Sequence, residues 1–238
     1  MKKILSVFLC LMLAFCLSAC YYNPPEGWTK NHHTYDEVLA FAKNIDPNAT
    51  VEEEYTDTSD EYGYIYREWN AVINGVNCHV ASVPEWVWNE GIGAGEFAKT
   101  YYYIDTDYDY TVMKNILDKK YPDWKVREKI GSGYLDNDTI FVSLSLAEYR
   151  MLSDAELEQV WQTACKINEE YEKTAIGCKA NFSVPSPGAF YSYAKNEHFV
   201  SKNSFATIEE FTEKGKKDFL QEYKDDWALL ESGLPVYD

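Results

Sequence analysis

Cationic side chains are scarce in this chain: 22 lysines and arginines stand against 39 aspartates and glutamates, for a formal net charge of −17. No basic run occurs anywhere, which excludes nucleic acid as a partner, because a phosphate backbone needs clustered Lys and Arg. Histidine is equally sparse. His32, His33, His79 and His198 are the four present, and none pairs with another His or Cys at zinc-ligand spacing, so no metal is expected. The sequence lacks Gly-x-Ser-x-Gly, Ser-x-x-Lys and His-Glu-x-x-His. Gly91, Gly93 and Gly95 lack both the further glycine of a dinucleotide loop and the lysine of a P-loop, so no cofactor is expected. Asp105, Asp107 and Asp109 alternate as calcium ligands do. An EF-hand counted from Asp105 would require glycine and glutamate where Tyr110 and Ile116 stand. A strand end with an aspartate capping the next helix is the simpler expectation.

The chain is rich in aromatics instead. Twenty tyrosines and seven tryptophans argue against a disordered acidic tail, which could not bury enough apolar surface to fold. The acidic balance keeps an exported protein soluble and also suits a cationic partner.

The N-terminus supplies an address. Lys2 and Lys3 precede an apolar stretch from Ile4 to Leu17, which closes on Leu17-Ser18-Ala19-Cys20. Positive patch, short apolar run and small residues before a cut make up a secretory signal. The run falls short of the roughly 20 residues that span a bilayer. Leu17-Ser18-Ala19-Cys20 resembles the lipobox of bacterial lipoproteins. That resemblance implies cleavage before Cys20 and acylation (palmitate among the chains) of Cys20, with two or three chains for stable anchoring. It places the protein at the extracytoplasmic face of the cell membrane. Loss of the signal removes two lysines and no acids, which moves the charge from −17 to −19.

Cys10 and Cys16 would leave with the signal, so besides the anchor Cys78, Cys165 and Cys178 remain. A disulfide is permitted outside the cytoplasm. Cys165 and Cys178 are close in sequence, and joining them would add roughly 3 kcal/mol. Buried cysteines also serve simply as small apolar residues.

The expected organisation is a signal over residues 1–19, a flexible tether over 20–33, and one α+β domain over 34–238 with a division near Pro122. The tether, with Pro24, Pro25 and Gly27, would reach at most ~45 Å. Thr34-Tyr35-Asp36-Glu37 is a capping box opening a helix that ends near Pro47. Strands over 62–73 and 76–83 flank Asn74-Gly75, a type I′ turn pair. That turn would set Ile73 opposite Val76, Ala71 opposite Cys78 and Trp69 opposite Val80 on an apolar face, leaving His79 on the polar face. A strand near 98–105, a helix near 107–121, and strands over 124–130 and 139–146 follow. Ser153-Asp154-Ala155-Glu156 opens a long helix, and Cys178–Val184 reads as a strand before a Pro-Gly loop. Thr207-Ile208-Glu209-Glu210 is a third box, opening a helix that reaches Trp227. The tight hairpin makes at least part of the sheet antiparallel, with about four helices packed on it.

Three functional expectations follow. The first is a non-enzymatic, membrane-anchored module that binds a protein ligand, including a cationic one. The second is glycan binding through Trp86 and Trp88 with Glu90 beside them, because alternate residues of an extended segment share a face. The third is a hydrolase using a pair of carboxylates, with no particular pair indicated by so acidic a sequence.

Overall fold

The computed structural model describes residues 25–59, 63–87, 99–127, 139–192 and 196–237. The fold is α+β, with two mostly antiparallel sheets. Two compact units follow one another, meeting between Thr106 and Asp107. The division therefore falls ahead of the helix that precedes Pro122, not after it, because that helix packs within the second unit.

The first unit opens with helix α1 (Tyr35–Ile45), whose Thr34/Glu37 capping box is formed as the sequence indicates. Four antiparallel strands follow in the order β1 (Thr50–Ser59), β2 (Ile65–Ile73), β3 (Val76–Val87) and β4 (Lys99–Thr106). Asn74 and Gly75 both take positive φ, as a type I′ turn requires. The resulting register pairs Ile73 with Val76, Ala71 with Cys78 and Trp69 with Val80. These residues are buried apart from half-buried Val76, and Asn70, Val72, Asn77 and His79 of the opposite face are exposed. Val38 and Ala42 of α1 are also fully buried. Asp46, capping α1, accepts the Asn74 amide at 2.8 Å and so ties the helix end to the hairpin turn.

Residues 25–33 do not continue a free tether. Thr29 bridges Tyr102 of β4, Trp28 stacks on Tyr103 at 5.3 Å, and His33 is buried. The cause is unsatisfied backbone: β4 is a sheet edge, and Thr29 supplies the partner its Tyr102 needs.

The second unit comprises α2 (Tyr108–Lys120), β5 (Trp124–Val126), β6 (Thr139–Leu144), α3 (Asp154–Tyr171), β7 (Lys179–Ser192), β8 (Glu197–Ile208), α4 (Glu213–Ala228) and β9 (Val236–Tyr237). The sheet order is β5-β6-β7-β8-β9. β6 and β7 are parallel, as are β8 and β9, since a helix returns the chain between each pair. The Ser153/Glu156 box opens α3 as expected. The Thr207 box does not open a helix. Ala206 and Ile208 are buried strand residues paired with Val184 and Phe182, and α4 starts later, capped by Thr212. The Pro-Gly segment after Val184 is likewise strand. β6 pairs with β7 only as far as Ser183, so Pro185 and Pro187 lie where β7 has one neighbour, which proline tolerates.

Candidate functional site

β1 is the outer strand of the first sheet, and among the described residues nothing pairs with its outer side. Nine of its ten residues are exposed. Its pairing with β2 is interrupted between Val51 and Tyr55, where four steps of β1 oppose two of β2. Glu52, Glu53 and Glu54 occupy this bulge and are all exposed. A bulge twists an edge and breaks its ladder locally. Beyond it, Tyr55 to Ser59 pair regularly with Trp69 to Ile65.

A groove of about 340 Å³ lies on the exposed face beside the bulge. Thr50, Glu52, Asn70, Val72, Asn77 and His79 line it. Val51, Ala71 and Cys78 also border it, but their side chains belong to the buried face, so they contribute backbone. Asn70 donates from Nδ2 to Glu52 Oε2 at 2.7 Å, which positions the carboxylate at the mouth. Val72 adds an exposed apolar surface. An aliphatic stem ending in a cation fits this combination: the stem covers Val72 and the head meets Glu52.

The other face of the sheet, past the end of α1, holds a polar cluster. Arg67 donates from Nε to Asp57 Oδ1 at 3.0 Å and sits 4.0 Å over the Tyr55 ring. The Asp57 bond is the main cause of an Arg67 pKa above its ordinary value. His32 packs against Tyr102 with ring centres 4.1 Å apart. Burial, then the Arg67 charge, lowers its pKa. His33 donates its backbone N–H to Ser82 Oγ at 3.0 Å, and its Nδ1 lies 3.1 Å from the same oxygen. Its Nε2 is 3.3 Å from the Gly27 carbonyl. With Ser82 donating to Nδ1 and Nε2–H donating to Gly27, both ring nitrogens have a partner. The Arg67–Asp57 pair thus joins β2 to β1, while the His33 bonds and the His32–Tyr102 contact fasten residues 27–33 to the sheet.

In the second unit, Asp109 is buried and accepts three backbone N–H groups, from Ile176 at 2.9 Å, Gly177 at 3.0 Å and Cys178 at 2.8 Å. It is a loop clamp rather than a calcium ligand, and Asp107 stands at the cap position of α2 without a side-chain cap bond. Among the described residues no cluster of His, Cys, Asp and Glu could hold a metal. Glu222 and Asp226 are two carboxylates one turn apart on α4. Burial raises the pKa of each, and Asp226 raises that of Glu222 further. Asp226 already accepts the buried Ser186 hydroxyl at 2.6 Å, so one of its oxygens is engaged in packing α4 on β7.

Cys20, Trp88 and Glu90 lie outside the described residues, as do Gly91, Gly93 and Gly95. Trp86 is on β3 opposite Thr100. Cys165 and Cys178 are half-buried thiols in this structure and are not joined. The β1 edge escaped the sequence reading altogether. Its signal is faint: threonines, Val51 and Tyr55 among acidic residues, without a buried alternate face. No helix among the described residues is long and apolar enough to cross a membrane. Comparison of the chain with protein-family models, with curated proteins and with solved structures gives no match.

Proposed function

We propose that this protein is a lipid-anchored, extracytoplasmic binding module that captures an extended cationic segment of a partner protein along β1. The carrying observation is the coincidence of a ten-residue edge strand, with no pairing partner on its outer side among the described residues, with an acidic bulge and a groove beside it. An added strand would draw affinity from main-chain hydrogen bonds to the edge, and specificity from a side chain seated in the groove. Charge supports the choice of partner. Glu52, Glu53 and Glu54 oppose a second copy of this acidic chain at the edge, as edge charges commonly do, and attract a basic one. The sequence supports the anchor through its likeness to a lipobox ending at Cys20, and the strongly acidic composition supports a cationic ligand.

Binding of an extended Lys/Arg-rich peptide, followed by fluorescence anisotropy, tests this. Exposed charge pairs contribute ~0.2–1 kcal/mol each, so replacing Glu52, Glu53 and Glu54 by Gln weakens binding on the order of tenfold. Replacing the exposed Glu209, Glu210 and Glu213 by Gln changes net charge equally and leaves affinity almost unchanged. Equal loss in the two variants would reduce the interaction to diffuse attraction and remove the edge as the site.

A further inference from the structure

Charge and apolar surface are sorted between the two faces of the first sheet beside β1. The register sets Tyr55 opposite Trp69, Asp57 opposite Arg67 and Ser59 opposite Ile65, and cross-strand partners share a face. On that face Arg67 stands 4.0 Å over the Tyr55 ring. It donates from Nε to Asp57 Oδ1 at 3.0 Å, with Nη2 3.5 Å from Oδ2. The Asp57 carboxylate is thus already engaged by a cation, whereas Tyr55 and Ile65 are each 50% exposed.

Thr50, Thr56 and Thr58 share the other face with Val72, Glu68 and Tyr66. There Thr58 Oγ1 donates to Glu68 Oε2 at 2.8 Å, and Asn70 positions the Glu52 carboxylate in the groove. A cation arriving on this face meets Glu52. The same cation arriving on the Tyr55 face meets Arg67, and like charges on neighbouring strands are destabilising. An aromatic or β-branched side chain beside Tyr55 instead covers its exposed ring.

We propose that β1 selects a two-faced strand, with lysine or arginine on the groove face and an aromatic or β-branched residue on the Tyr55 face. This rests on the strand capture proposed above and narrows its partner. Successive side chains of a strand point to opposite faces, so the partner's cations stand an odd number of residues from its apolar anchor. A segment with the two residue types at even spacing satisfies one face and offends the other. A plain polycation fills the groove but also sets cations against Arg67. The partner class is therefore an amphipathic extended segment.

Two labelled peptides of about ten residues and identical composition test this by fluorescence anisotropy. Each carries one isoleucine and two lysines among threonines and serines. In one the lysines stand one and three residues from the isoleucine, in the other two and four. The odd-spaced peptide binds about fivefold more tightly. In Tyr55→Thr, which keeps a strand-forming residue, both still bind and the preference falls below about twofold. Equal affinity for the wild type, with slowed amide exchange along β1, overturns the two-faced pattern and leaves strand capture standing. A preference undiminished in Tyr55→Thr also overturns it, since the difference then belongs to the peptides. If neither these peptides nor a Lys/Arg-rich one binds, strand capture fails and the pattern with it.

Discussion

Thr29 and Tyr102 exchange both of their backbone hydrogen bonds, at 2.9 and 2.8 Å, and so form an isolated bridge on the β4 edge. The side chain that secures the following turn is Ser82, whose hydroxyl serves both the backbone and the ring of His33. Ser82→Ala leaves two buried polar groups of His33 without that partner and costs about 1–3 kcal/mol. The expected readout is faster amide exchange at Thr29 and Tyr102, ahead of any change in α4. Unchanged exchange at both residues would show that the segment docks without Ser82.

His32 gives the first unit a pH dependence of known sign. Its pKa is lowered from 6.5 by burial, with Arg67 and His33 adding to the shift and Asp57 opposing it. Below the unfolded value the unfolded chain binds a proton that the folded ring resists, so stability falls as pH drops from 6.5 through the folded pKa. His32→Gln should flatten this part of the profile in denaturant titrations between about pH 7 and 5. An equally steep slope in the variant would assign the dependence to other groups.

Asp109 clamps the Ile176–Cys178 turn through three amides. Asp109→Asn removes the charge and sets an NH2 group against one of the donors. The cost is at least about 2 kcal/mol, since charge-assisted bonds are lost and a donor is left facing a donor. Chemical denaturation of the second unit measures it, and a loss below about 0.5 kcal/mol would mean that water replaces the carboxylate.

At Gly188 a Cβ would stand 2.1 Å from Ser204 Oγ and 2.4 Å from Ser204 Cβ. The close approach arises at the bulge where two steps of β7 oppose three of β8. Gly188→Ala should lower stability by about 1–3 kcal/mol. Adding Ser204→Gly should restore much of the loss, because the atoms in conflict are gone. Absence of recovery in the double variant would place the strain in the backbone.

Local chemistry explains which features could be read in advance. Asn74-Gly75 admits one tight turn, and with it every pairing from Ile73/Val76 to Glu68/Ala81. Thr34 and Ser153 cap their helices because the bonding partners are three residues away. Thr207 carries the same local pattern but sits between buried Ala206 and Ile208, and strand pairing prevails. Pro185 reads as a strand terminator until β6 is seen to stop pairing at Ser183. Asp109 meets its partners 67 to 69 residues away, beyond any local pattern. β1 was illegible for a related reason. An outer strand whose one buried residue is Val51 shows no alternation, and its significance comes from having a neighbour on one side alone.

Amide hydrogen exchange of the protein with and without a bound Lys/Arg-rich peptide tests strand capture most directly. Addition of a peptide to the edge slows exchange at the outward-facing amides between Thr50 and Ser59 and leaves β4 and β7 unaltered. Binding that protects any other segment, with β1 exchanging as in the unbound protein, would contradict the proposed site.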